Sequence, residues 1–191
     1  MRAFAAQGYE GMSLRALNAE LGLSSGTINQ RFSSKERLWY AAVDFGFRHM
    51  IADMNTELQR LLSDDDLTLA HNTIRAFRVA SWKHAELVRL MNQEGLHSTD
   101  RLDHVVTTFI LPTLSVLTAA MDRLADAGVL RRVPARALLF LLAHGAAAPF
   151  TLRALSDWFD PIDGPLEPAC HVDLTTEVIM AGLRNPDPGT S

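Results

Sequence analysis

Cysteine is almost missing from this chain: among 191 residues only Cys170 carries a thiol. That excludes an internal disulfide framework and any zinc site built on several cysteines. Long apolar runs are missing too. The longest, Ala137 to Phe150, is interrupted by His144 and Pro149 and falls short of the roughly 20 residues a membrane span needs. Met1 leads straight into a mixed amphipathic segment with no signal-peptide pattern. Strand-like alternation is scarce, and there is no internal repeat or low-complexity tract. No glycine-rich phosphate loop, nucleophile elbow or zincin signature appears, so no catalytic constellation is available and an enzyme is not expected. What remains is 48% hydrophobic and 21% charged residues, ordinary globular composition that excludes global disorder. The expectation is a soluble, cytoplasmic protein with no membrane partner and no cofactor.

Charge is unevenly spread. The net charge is −4, from 18 basic and 22 acidic residues. From Met1 to His49, six basic residues (Arg2, Arg15, Arg31, Lys35, Arg37, Arg48) oppose four acidic ones (Glu10, Glu20, Glu36, Asp44). A mildly basic head on an acidic body suits a polyanion at one end, although numbers this small also fit chance.

Apolar residues recur at three- and four-residue spacing nearly throughout, which predicts an all-α fold. Met1 to Gln7 reads as a short helix closed by Gly8. Ser13 caps a second, with Leu14, Leu17 and Leu21 on one face. Gly22 ends it, and Ser24 caps a third, with Ile28 and Phe32 facing inward. Ser33 and Glu36 form a capping box for a long fourth helix to Leu62. Its expected inward stripe is Leu38, Ala42, Phe45, Met50, Met54, Leu58 and Leu61. The acidic break Ser63–Asp66 precedes helices over Leu67–Trp82 and Ala85–Glu94. Asp100 is expected to cap the next, over Asp103–Ala127, which Pro112 should bend. Pro134 opens another, to about Trp158. Asp160 to Pro168 reads as a loop, Val172–Leu183 as the last helix, and Asn185–Ser191 as a fraying tail.

Two short helices joined across Gly22-Leu23-Ser24 form a helix-turn-helix pattern. The outward positions of the second, Ser25, Gly26, Thr27, Asn29, Gln30 and Arg31, are small or hydrogen-bonding, and none is acidic. Asn and Gln pair bidentately with adenine edges, Thr offers a hydroxyl and a methyl, and Arg reaches guanine or phosphate. Helix starts near Ser13 and Ser33 can hold phosphates, with Arg15, Ser24 and Lys35 beside them. The same pattern also fits a purely structural hairpin with a polar surface.

The segments Phe4-Ala-Ala-Gln-Gly-Tyr-Glu-Gly-Met-Ser-Leu-Arg-Ala-Leu, Leu21-Gly-Leu-Ser-Ser-Gly-Thr-Ile and Arg31-Phe-Ser-Ser-Lys-Glu-Arg-Leu resemble the DNA-binding head of TetR-family regulators. The resemblance covers about Met1 to Phe47. It implies a helix-turn-helix domain over 1–47 and a helical ligand-binding and dimerisation domain over 48–191. It implies a regulator, in most members a repressor, that binds a palindromic operator as a homodimer and releases it to a small molecule. Ser25 stands where the family often has lysine, and Asn29 where it usually has a phosphate-binding tyrosine. Gln30-Arg31 replaces a common histidine. Members usually carry another turn or two before the point where Met1 falls, so a native start upstream of Met1 is expected.

In the body, Ala135 to Phe150 is apolar around most of its circumference and must be buried on more than one side. By resemblance, this helix and Val172–Leu183 pair with their two-fold mates. A largely apolar effector would lie among the helices from Leu67 to Ala127. Candidate lining residues are Phe77, Trp82, Met91, Phe109, Leu117 and Met121, with Asn92, Glu94, His97, Thr108 and His144 as polar partners. Each aromatic or methionine also fits ordinary core. His97, Asp100 and His104 could share a helix face, but the intervening Ser98 and Thr99 argue for a loop and against a metal site. Two other readings stay open: a partner-regulated helix-turn-helix protein without small-molecule sensing, and a helical binding protein using the motif as scaffold.

Overall fold

The computed structural model describes residues 1–60 and 65–185. Leu61, Leu62, Ser63, Asp64 and the tail beyond Asn185 lie outside them. Among the described residues nine helices build the fold: α1 (Arg2–Gly11), α2 (Leu14–Glu20), α3 (Thr27–Phe32), α4 (Lys35–Gln59), α5 (Asp66–Lys83) and α6 (Ala85–Glu94), then α7 (Asp100–Asp126), α8 (Ala135–Ala146) and α9 (Pro168–Leu183). Short helical turns, Ala148–Thr151, Arg153–Ser156 and Asp160–Asp163, link α8 to α9. The stretch expected as a loop after Asp160 therefore opens with a helical turn, with Pro161 in its first turn. Likewise α8 stops at Ala146 instead of running to Trp158.

Capping chemistry sets most helix starts. Ser13 Oγ accepts from the Ala16 N–H (3.4 Å), and Asp65 Oδ2 from the Thr68 N–H (2.8 Å). Two caps differ from expectation by one residue. Ser34, not Ser33, caps α4, accepting from the Arg37 N–H at 3.0 Å. Ser33 instead closes α3 in the left-handed region (φ 66). Thr99, not Asp100, caps α7. Gly8 does interrupt α1, at φ 71, although short helical geometry resumes after it.

Two large apolar cores, with a smaller cluster of Ala147, Phe150 and Val172 beside them, hold the helices together. One gathers Phe4, Trp39, Val43, Phe47, Leu87, Leu90 and their neighbours from α1, α4, α6 and the start of α7. The other joins Ile74, Leu117, Leu124, Leu138 and Ile179 from α5, α7, α8 and α9. Phe77 of α5 packs against both. Two expected inward residues face out: Leu21, just past the end of α2, and Phe45, which is 62% exposed and lies against the His49 ring. In α4 the buried stripe is Trp39, Val43, Gly46/Phe47, Met50 and Met54, so Phe45 falls on the opposite side.

By length and composition α7 could cross a bilayer, a possibility the shorter run at Ala137 does not raise. Here its inner side, including Val105, Phe109, Leu117 and Leu124, belongs to the two cores. The bend expected at Pro112 takes the form of a widened turn. Proline has no N–H for the Thr108 carbonyl, and Val106–Ile110 adopts π geometry, with the Leu111 N–H bonding Val106 O five residues back. A second π segment, Leu141–Ala146, precedes Pro149.

Candidate nucleic-acid interface and ligand cavity

The helix-turn-helix is locked by a residue that hydrophobic patterning passes over. Asn18 is buried on α2; its Oδ1 accepts from the Ile28 N–H (3.2 Å) and its backbone carbonyl from the Leu23 N–H (2.8 Å). One residue thus ties α2, the turn and α3 together. Only its polarity and its place four residues after Leu14 could have marked it. Ile28 is the buried edge of α3, and Phe32 is half-buried.

Asn29, Gln30 and Arg31 are exposed on the free side of α3, where Arg31 lies 6.0 Å from the Phe32 ring centre. Ser24 and Ser25 belong to the turn. Ser24 Oγ and Thr27 Oγ1 share a hydrogen bond (2.7 Å), and the helix begins at Thr27 after Gly26 at φ 95. A left-handed backbone there suits glycine and shortens the helix expected from Ser25. Arg15 is exposed on α2, and Ser13 is engaged as its cap. Lys35 is more committed than expected. Its Nζ donates to Glu10 O (3.3 Å) and Met12 O (3.2 Å) and lies 4.6 Å from the Tyr9 ring centre. Much of its role is to tie α4 to the end of α1.

Between the two cores lies a cavity of about 540 Å³, bounded by α4, α5, α6, α7 and α8. Phe77, Met91, Phe109, Leu117 and His144 line it, as does Asn92. Met121 does not; it packs in the second core. Glu94 does not either. It is buried, and its Oε1 accepts from Thr99 Oγ1 (2.5 Å) and Arg101 Nε (3.1 Å). Trp82, His97 and Thr108 are exposed and stand outside the lining. Cavity walls that sequence reasoning missed include Phe47, Met50, Ile51 and Met54 of α4, and Val106, Ile110, Leu142 and Ala143 beside the expected Phe109 and His144 in the π segments. Nothing in a one-helix pattern tells a wall from a core.

His104 Nε2 pairs with Asp44 Oδ1 of α4 at 2.7 Å, which separates it from His97 and Asp100. Among the described residues no group of three His, Cys, Asp or Glu is placed to hold a metal. On the far side of the body, Leu152, Leu155, Trp158, Phe159, Ile162, Leu174 and Val178 are exposed. Leu152, Leu155, Phe159 and Leu174 border an open groove along α9, whereas Ala147 is fully buried within the chain. Within the chain α8, expected to be buried on more than one side, also exposes Phe140 and Leu141, so exposed apolar side chains lie on α8, on the turns after it and on α9.

Residues 1–42 match the sequence profile of "Bacterial regulatory proteins, tetR family". No curated protein matches the chain in sequence. Several solved structures share its fold. The TetR family transcriptional regulator PfmR from Thermus thermophilus is 22% identical, with a TM-score of 0.66 over 95% of this chain and 94% of that one. The ketosteroid transcriptional regulator KstR2 of Mycobacterium tuberculosis is 15% identical, with a TM-score of 0.72 over 96% and 90%. AibR, solved with isovaleryl coenzyme A and operator DNA, is 16% identical, with a TM-score of 0.65 over 97% and 94%. Residues 1–42 are thus similar to the amino-terminal domain of TetR-family regulators, and the chain as a whole shares the all-helical fold of the solved TetR-family transcriptional regulators.

Proposed function

We propose that the protein is a ligand-responsive transcriptional regulator, a cytoplasmic repressor that reads a palindromic operator as a homodimer. The observation that carries this reading is the exposed run Asn29-Gln30-Arg31 on a helix whose other edge is fixed by Asn18. Asn29 and Gln30 read base edges; Arg31, Thr27, Ser24, Ser25, Gly26, Ser13, Arg15 and Lys35 complete the contact surface. We divide the chain at about residue 47, inside α4, into a DNA-binding head and a sensing body.

The apolar face on the turns after α8 and on α9 is covered by a second copy, because so many exposed large side chains in one region mark an association surface. The two heads then meet successive major grooves about 34–36 Å apart, or a multiple of that. The cavity takes the effector. Since α4 supplies both the cavity wall and the helix entering the head, filling the cavity changes head spacing and so operator affinity.

Selection of random duplex DNA by the purified protein should enrich a palindrome. On that probe Gln30→Ala should weaken binding about tenfold and relax base preference at one position. Lys35→Ala should weaken binding to all sequences and reduce the salt slope by about 1. If no duplex is enriched while dimer and fold are intact, the reading is overturned.

A further inference from the structure

The cavity wall holds no Asp, Glu, Lys or Arg among the described residues. Its polar members are Thr73, Asn92, Thr113 and His144, one each from α5, α6, α7 and α8. The Thr73 hydroxyl is taken, donating to Leu69 O at 2.7 Å. Asn92, Thr113 and His144 make no hydrogen bond to the described protein; His144 only stacks on Phe140, ring centres 4.7 Å apart. Three polar groups without a hydrogen bond to the described protein, from three helices, thus line an otherwise apolar space. Leu96, Leu111, Phe140 and His144 line the cavity and are also exposed, so its open edge carries one imidazole among apolar side chains and no Lys or Arg.

We infer that this cavity takes an uncharged lipophile whose polar groups are hydroxyl, carbonyl or ester oxygens, and that it discriminates against carboxylates and coenzyme A thioesters. The inference rests on the ligand-sensing reading above. A carboxylate moved from water into such a wall loses its hydration and gains no cation, which is far costlier than burying a neutral oxygen that finds a hydrogen bond. The amide, hydroxyl and imidazole supply donors and acceptors, so a neutral ligand oxygen is satisfied in either role. A coenzyme A ligand would bring several phosphate charges to an edge of leucine, phenylalanine and one histidine, with no lysine or arginine in the lining to pair with them.

Displacement of the neutral dye Nile red from the full-length protein tests this, using 1-decanol, methyl decanoate, decanoate and decanoyl-coenzyme A at pH 7.5. The alcohol and ester should displace the dye at least tenfold more tightly than decanoate or the thioester. Asn92→Leu should weaken decanol several-fold, and Ala143→Trp, which fills the cavity, should abolish dye binding with the fold intact by circular dichroism. Equal or tighter displacement by decanoate or the thioester overturns the neutral-ligand inference and leaves ligand sensing standing. Dye binding that survives Ala143→Trp, or no displacement by any of the four, overturns both.

Discussion

The guanidinium of Arg101, at the start of α7, lies 3.8 Å from the centre of the Tyr9 ring in α1. Arg101 Nε donates to the buried carboxylate of Glu94, which also accepts from the α7 cap Thr99. Tyr9 is approached from another direction by Lys35. A head residue is therefore held between α4 and a body helix whose next turns line the cavity. Gln93 adds a second tie, Nε2 donating to Ala5 O at 3.3 Å.

Breaking this cluster should cost more than a surface ion pair. Glu94→Ala leaves Arg101 without its anion, and a disrupted buried pair costs about 3–5 kcal/mol. For a chain of this size that is a fall in Tm of roughly 6–20 °C. Arg101→Ala should cost a similar amount, and the double variant much less than the sum, as thermal melts in a double-mutant cycle would read.

Asn18→Ala should loosen the DNA-reading motif specifically. It leaves the buried Ile28 N–H without an acceptor, a loss of about 1–3 kcal/mol. Amide exchange should accelerate across α2 and α3 while α5 and α9 keep their protection.

Arg78 is a second buried charge, with the opposite balance. It is fully buried on α5, Nη2 donates to Thr175 Oγ1 at 2.6 Å, Nε and Nη1 find no partner, and burial pushes its pKa down to about 10. The group still carries its proton at neutral pH, so the folded state bears the whole desolvation penalty there. That penalty would ease only as pH rises through about 10, where the unfolded chain holds more protons than the folded one. Arg78→Met should therefore raise stability, by about 1–4 kcal/mol in chemical denaturation. A fall in midpoint would show that the Thr175 bond and the packing over Phe150 outweigh the cost of the charge.

Acid stability should depend on Asp53. Its carboxylate accepts from His84 at 2.9 Å, joining α4 to the corner between α5 and α6, and this bond holds its pKa below the ordinary aspartate value, against the smaller opposing effect of burial. A depressed carboxylate contributes stability that is present above its unfolded pKa and disappears as pH falls through the folded value. Asp53→Asn should lower Tm at pH 7 modestly and lose less of it than the parent as the pH falls from about 5 to about 3. Parallel melting curves for the two proteins over that range would refute the assignment.

Local chemistry made much of this fold legible. Ser13, Gly8, Gly22 and Pro112 each act within a few residues of themselves, and the helix count, the helix-turn-helix and the bend followed from them. Faces were harder. Phe45 is as apolar as Phe47, and only the packing partners, Phe109 beside Phe47 and an exposed His49 ring beside Phe45, decide which one is inside. Buried polar residues were harder still, because Asn18, Arg78 and Glu94 meet groups on other elements that no local period announces. The cavity was legible as a set of large side chains at helical spacing. That Phe77 borders it while Met121 fills the core depends on how five helices meet.

Both widened helical turns sit just ahead of a proline, and both border the hollow between the cores. Its volume is thus written into the main chain, by amide protons that Pro112 and Pro149 cannot supply, rather than into the side chains that face it. Shape and lining are inherited separately. Substitution at Val106, Leu142 or Ala143 can change which molecule is welcome without the helices closing over the space. A lineage of such proteins can drift from one chemical signal to another while keeping the same empty room.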